Sequence, residues 1–213
     1  MKTADGQGRG IPGVDAPLPP MPAHVRAELV EIVPGPGIRL DVRYATAANI
    51  TGRPLYIAPR VFLRPEAAEA LKRAAALAVT AGLELVIFDG YRPAGAQLAL
   101  WRACPDESYV FPPWKGSAHT RGIAVDLTLA RPGGEPLAMG TDFDDMSERS
   151  HPSSRDVPAA VICNRMLLAG LMVTAGFEPI ETEWWHFQLP GGDDWPLIDA
   201  ASLPVRLLAP LEK

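Results

Sequence analysis

Four histidines occur in the 213 residues, at 24, 119, 151 and 186, and two of them stand close to carboxylates in loaded settings. His119 lies in GSAHTRGIAVD (116–126), where Asp126 follows seven residues later and interrupts an apolar run of strand character. A carboxylate buried there without a partner would be expensive, and a cation would offset that expense. His186 lies in ETEWWHF (181–187), where a neutral imidazole could supply the third donor of a catalytic zinc site whose fourth position stays open. Spacing alone leaves the matter undecided. A His-x6-Asp pair is far less specific than HExxH, and a lone His on a strand is more often a hydrogen-bonded core or surface residue.

The elements that must position these groups can be read from periodicity and punctuation. Residues 29–33 and 38–44 have strand character and are split by Pro34-Gly35-Pro36-Gly37, which predicts a hairpin. Pro65 opens an Ala-, Leu-, Glu- and Lys-rich segment closed by Gly82, the Pro-in, Gly-out signature of a helix. The apolar run 83–88 then ends in Asp89-Gly90-Tyr91-Arg92-Pro93, so a buried strand delivers a polar loop, followed by a helix over about 94–103. Residues 122–129 alternate as a strand, with Ile123, Val125 and Leu127 on one face and Ala124, Asp126 and Thr128 on the other. A helical pattern over 159–175 stops at Gly176, and EWWHFQL (183–189) has the aromatic character of a last strand. Strands and helices come in mixed order without repeated βαβ units or internal repeats. The expectation is a single α+β domain with a mostly antiparallel sheet flanked by helices.

Composition narrows the partners. A chain this long with 47% hydrophobic residues can bury a real core without disulfides. A net charge of −5 with no Lys/Arg cluster argues against a nucleic-acid-binding face and favours small molecules or peptides. Cys104 and Cys163 form no CxxC pair and read as two small core thiols. The first 22 residues are Gly/Pro-rich and without hydrophobic period, so residues 1–27 read as a flexible or draped arm and 28–213 as the domain. Neither a signal-peptide core nor a run of eighteen apolar residues is present, which predicts a cytoplasmic protein with no membrane partner.

Five blocks together carry a family resemblance: DVRYAT (41–46), FDGYRP (88–93), SAHTRGIAVDLTL (117–129), MGTDFDDMSERSH (139–151) and EWWHF (183–187). In this order the sequence resembles the VanX-like D-alanyl-D-alanine dipeptidases, within the wider zinc D,D-peptidases of hedgehog-like fold. The resemblance covers most of the chain beyond the arm. It implies one Zn2+ per chain held by His119, Asp126 and His186, and a general base at Glu183. It implies cleavage of D-alanyl-D-alanine to two D-alanines, in recycling wall precursors or depleting them in glycopeptide resistance. The alternative is a D,D-carboxypeptidase or dipeptidase acting on other cell-wall peptides.

Positions i and i+3 of a regular strand face opposite ways, so Glu183 and His186 can share a metal only if Glu183 sits at the strand's entrance or on a bulge. Glu181 is the competing carboxylate. Arg92 is the expected electrostatic partner of the oxygen on which charge develops, with a structural salt bridge to Asp89 as its plainer role. For the substrate, the resemblance places Asp144 and Tyr44 near the ammonium and Ser117 near the carboxylate. Asp142 and Asp145 flank Asp144 and read equally as turn residues. His151 is expected to make a structural hydrogen bond. The stretch between Arg92 and Ser117 is shorter than in the family's best-known members, which predicts a more open pocket.

Overall fold

A computed structural model describes residues 19–209. Seven strands and three α-helices follow in the order β1 (Val30–Ile32), β2 (Ile38–Leu40), β3 (Val61–Leu63), α1 (Pro65–Thr80), β4 (Glu84–Asp89), α2 (Ala94–Ala103), β5 (Ala124–Ala130), α3 (Ala159–Thr174), β6 (Glu178–Pro179) and β7 (His186–Gln188). Five strands form the main sheet in the order β2-β4-β5-β7-β6. Only the β2/β4 pair is parallel, and the other three pairings are antiparallel. The architecture is therefore α+β with a mostly antiparallel sheet, as the mixed element order predicts.

The helices stand where their punctuation puts them. Pro65 opens α1 and Gly82, at φ 72°, follows its last turn in the left-handed conformation. The buried stripe of α1 is mainly alanine, Ala67, Ala70, Ala74 and Ala78 around Leu71, which lets the helix lie close to β3 and β4. α3 packs against α1 and against β5. Every residue of β5 is buried, so its alternation does not divide core from solvent; the face that carries Asp126 looks into a cavity instead.

The expected hairpin does not form. Gly35 and Ile38 do pair across the Pro34–Gly37 turn, yet β1 joins β3 in a separate antiparallel ribbon and β2 runs parallel to β4. The reason lies at Gly37, where a Cβ would stand 2.7 Å from Val79 Cγ2 and 2.8 Å from the Ala75 carbonyl oxygen. The turn is pressed against α1, which redirects the chain to the sheet's edge. β3 and the two-residue β6 were not legible as strands in the sequence. Cys163 is exposed and Cys104 half-buried, which corrects the expectation of two core thiols. Of the expected arm, residues 1–18 lie outside the described residues. Backbone pairing begins ahead of Glu28: Val25 bridges Ile198, and Ala27 N–H donates to Ser202 Oγ at 3.1 Å.

Candidate active site

Three neighbouring strands set out the site in one row. Asp126 on β5 is the register partner of His186 on β7 on one side and of Asp89 on β4 on the other. The second pairing depends on an irregularity in β4, where the register shifts between Ile87 and Asp89. Such a shift re-aims the residues beyond it, and here it sets two acidic residues face to face in the interior.

Arg92, from the loop after β4, reconciles them. Its Nε donates to Asp89 Oδ2 at 2.8 Å and its Nη2 to Asp126 Oδ2 at 3.2 Å, while Nη1 donates to Gln97 Oε1 at 3.1 Å. Tyr56 O–H donates to the other Asp89 oxygen at 3.0 Å. Burial works against the Arg92 charge, but the two aspartates hold it firmly cationic. Of the five N–H donors of a guanidinium, the three bonds to Asp89, Gln97 and Asp126 leave two uncommitted. The salt bridge and a role at the cavity thus coexist.

His119 is held by the neighbouring loop. Its Nδ1–H donates to the Gly90 carbonyl at 2.8 Å, its backbone N–H donates to Ser117 Oγ at 3.2 Å, and its carbonyl accepts from Arg92 N–H at 3.2 Å. Gly90 is required here because a Cβ would meet Val61 Cγ1 at 2.7 Å and the Phe62 carbonyl oxygen at 2.8 Å. On the other side His186 Nε2–H donates to Gln188 Oε1 at 3.1 Å. These outer bonds fix both tautomers. The inward atoms are then His119 Nε2, His186 Nδ1 and Asp126 Oδ1, all lone-pair acceptors.

Those three atoms converge, at 3.0 Å between the two nitrogens, 3.2 Å from His119 to Asp126 and 3.1 Å from His186 to Asp126. Three buried acceptors at such distances repel one another unless a proton or a cation lies between them. Donors about 2.0 to 2.1 Å from a tetrahedral zinc would be roughly 3.3 Å apart, close to what is seen. The group could hold a metal ion. Burial opposes ionisation of Asp126, yet the two imidazoles more than offset it and keep the carboxyl below its ordinary range. His119 is held neutral by burial and by Arg92, whereas Asp126 raises His186 against the effect of burial.

Glu183 reaches the same point from outside the strand. It sits in the turn ahead of β7, and its Oε2 lies 4.0 Å from His186 Nδ1. This is the strand-entrance alternative of the two that parity left open. Burial pushes its carboxyl up to about 8. Glu181 is exposed and does not line the cavity.

Asp144 forms the far wall. Its Oδ1 accepts from Tyr44 O–H at 3.1 Å and its Oδ2 from Ile50 N–H at 3.0 Å, and its backbone adopts φ 62°. Burial raises this carboxyl to about 6. Asp142 and Asp145 line a different groove, beside Thr141. His151 also lies apart: its carbonyl accepts from Arg165 Nη1 at 2.8 Å, but its ring Nε2 has no hydrogen-bond partner. The structural bond expected of this residue is made by its backbone.

All eight residues singled out from the sequence, Tyr44, Arg92, Ser117, His119, Asp126, Asp144, Glu183 and His186, line one cavity of about 120 Å3. Drug-sized pockets begin near roughly 300 Å3. The short segment between Arg92 and Ser117 lines one side with Tyr109, Val110 and Phe111. Sequence reasoning missed Gln188 and Gln97. Gln188 stands two residues after His186, on the same strand face, and parity could have found it. Gln97 sits among the buried Ala96, Ala99 and Leu100 of α2, where a polar residue breaks an apolar stripe.

Comparison with known proteins bears on most of the chain. A peptidase family profile described as D-ala-D-ala dipeptidase matches residues 26–199. The D-alanyl-D-alanine dipeptidase of Escherichia coli K12 is 46% identical over 172 residues, covering 80% of this chain and 89% of the relative. That of Enterococcus faecium is 40% identical over 175 residues, covering 72% and 86%. That of Streptomyces coelicolor is 37% identical over 177 residues, again covering 72% and 86%. With the profile match spanning both sides of the cavity and identities of this size, the chain belongs to the D-ala-D-ala dipeptidase family of peptidases.

Proposed function

We propose that this protein is a zinc-dependent dipeptidase that hydrolyses D-alanyl-D-alanine to two D-alanines, with one zinc ion on His119, Asp126 and His186. The observation that carries the reading is the convergence of three buried acceptors with a buried carboxyl, Glu183, beside them. Relatives that carry the dipeptidase name match along most of the chain. Zinc bound at such a donor set lowers the pKa of a water ligand to near 7 and polarises a carbonyl.

The chain's own residues do the rest. Glu183, buried beside the three convergent acceptors, accepts a proton from the attacking water and hands it to the leaving amine. Arg92 turns its two free N–H groups toward the oxygen that gains charge, and the bonds to Asp89 and Asp126 hold it in place beforehand. Asp144, with Tyr44 behind it, receives the substrate ammonium. Ser117 Oγ offers a hydroxyl to the carboxylate. A cavity of about 120 Å3 favours a free dipeptide over a longer wall peptide. No helix among the described residues is long and apolar enough to cross a membrane.

The test is release of D-alanine from D-alanyl-D-alanine by the purified protein, beside L-alanyl-L-alanine and a pentapeptide ending in D-Ala-D-Ala. Activity on the free D,D-dipeptide alone, abolished by a chelator and restored by zinc, is expected. Cleavage of the pentapeptide instead would make the protein a carboxypeptidase.

A further inference from the structure

Gln97 is a buried amide on a helix face otherwise given to Ala96, Ala99 and Leu100. Burying an amide is unfavourable unless its hydrogen bonds are made, and both ends of this one are engaged. Nε2 donates to the Phe111 carbonyl at 2.7 Å, and Oε1 accepts from Arg92 Nη1 at 3.1 Å. A carbonyl can only accept, so the Phe111 contact fixes which way round the amide lies and presents the oxygen to Arg92. Phe111 belongs to the short segment that walls the cavity.

The other two anchors of Arg92, Asp89 and Asp126, both come from the adjacent strands β4 and β5. Two carboxylates on one side draw a guanidinium toward the sheet. Gln97, from α2, is the contact from a different element, and it occupies the third corner of the fork. We propose that Gln97 is a positioning residue for Arg92: it ties the guanidinium to the cavity wall at Phe111 and so sets the direction of the two N–H groups left for substrate. This rests on the reading of Arg92 as the group that meets the developing charge.

The experiment is a double-mutant cycle of Gln97→Leu with Arg92→Lys on D-alanyl-D-alanine, with Gln97→Glu as the variant that keeps only the acceptor and the zinc-loaded enzyme as the sample. Losing a hydrogen bond to a charged group changes a rate by roughly 10- to 100-fold. Gln97→Leu is expected to lower kcat by about 10-fold or more with KM within about 3-fold, and by less than about 3-fold when Arg92 is already Lys. Gln97→Glu, which keeps an acceptor for Nη1 but loses the donor to the Phe111 carbonyl, is expected to fall between Gln97→Leu and wild type in kcat. An undiminished loss in the Arg92→Lys background, or an unchanged kcat in Gln97→Leu, overturns the proposal. If Gln97→Leu does not fold, Gln97→Met, which likewise makes neither bond, carries the same comparison. Should the wild type release no D-alanine, the dipeptidase reading fails separately, and solvent exchange of the Arg92 guanidinium protons by NMR still decides the positioning. Faster exchange in Gln97→Leu than in wild type supports it, and equal exchange overturns it.

Discussion

Asp89 and Asp126 face each other across β4 and β5, buried, with a single guanidinium between them. Neither carboxylate could keep its charge there alone. Burial raises Asp89 above its ordinary pKa, with Arg92 pulling the other way, while Asp126 stays low because it also meets two imidazoles. Arg92 therefore links the substrate-facing side of the site to one of the three candidate metal ligands.

From this follows a contrast between two substitutions of Arg92. Arg92→Ala leaves two opposed carboxylates without a countercharge, and breaking a buried pair in this way costs about 3 to 5 kcal/mol. Arg92→Lys keeps the charge but replaces a rigid fork by one point donor. The lysine variant is expected to fold, with a thermal midpoint near wild type, and to lose on the order of 100-fold in kcat. Equal kcat in wild type and Arg92→Lys would remove Arg92 from the chemistry.

Glu183 and His119 separate catalysis from metal retention. Glu183 lies beside the three convergent acceptors but is not one of them, whereas His119 supplies one of the three. Glu183→Ala is expected to keep its zinc, measured by atomic absorption after gel filtration, and to lose turnover. His119→Ala is expected to lose both. Full activity in Glu183→Ala would end its assignment as the base.

How far the sequence led can be judged from particular residues. α1 and α3 were legible because Pro65, Gly82 and Gly176 mark their ends. The site residues were legible through chemistry out of place, a carboxylate in an apolar strand and a histidine among tryptophans. Strand parity, given the role the resemblance implies for Glu183, required it to sit ahead of β7 or on a bulge. The pairing of β1 and β2 was misread, because the turn between them looks like a hairpin locally and only contact with α1 shows otherwise. The bulge in β4 and the Gly90 carbonyl behind His119 were invisible, since both are backbone features set by tertiary packing.

Gly90→Ala tests that last point. The added methyl would lie 2.7 Å from Val61 Cγ1 and 2.8 Å from the Phe62 carbonyl oxygen, so the loop must shift away from β3. Overpacking of this kind costs typically about 1 to 3 kcal/mol. Because the Gly90 carbonyl holds the His119 ring, zinc affinity is expected to fall by about 10- to 100-fold as well. Calorimetric zinc titration of the refolded apo protein measures it; an unchanged affinity would show that His119 needs no support from behind.

Asp144 gives the pH dependence. Burial lifts its carboxyl from 3.8 to about 6, with Asp126 adding to the rise and the Ile50 N–H, Arg92 and Tyr44 opposing it. Between those two values the native protein holds a proton that the unfolded chain has released, so stability falls as pH rises through that window. At pH 7.5 the folded protein carries the whole penalty, about 1 to 3 kcal/mol for a shift of this size. Asp144→Asn removes the charge, and Asn also tolerates the left-handed backbone seen there at φ 62°. The variant is expected to melt several degrees higher than wild type at pH 7.5, with the gap closing below about pH 4. It should at the same time lose the ammonium's partner and raise KM for D-alanyl-D-alanine by roughly 10-fold or more. A stabilised variant with unchanged KM would place the ammonium elsewhere in the cavity. A variant no more stable than wild type at pH 7.5 would mean that Asp144 bears no electrostatic strain.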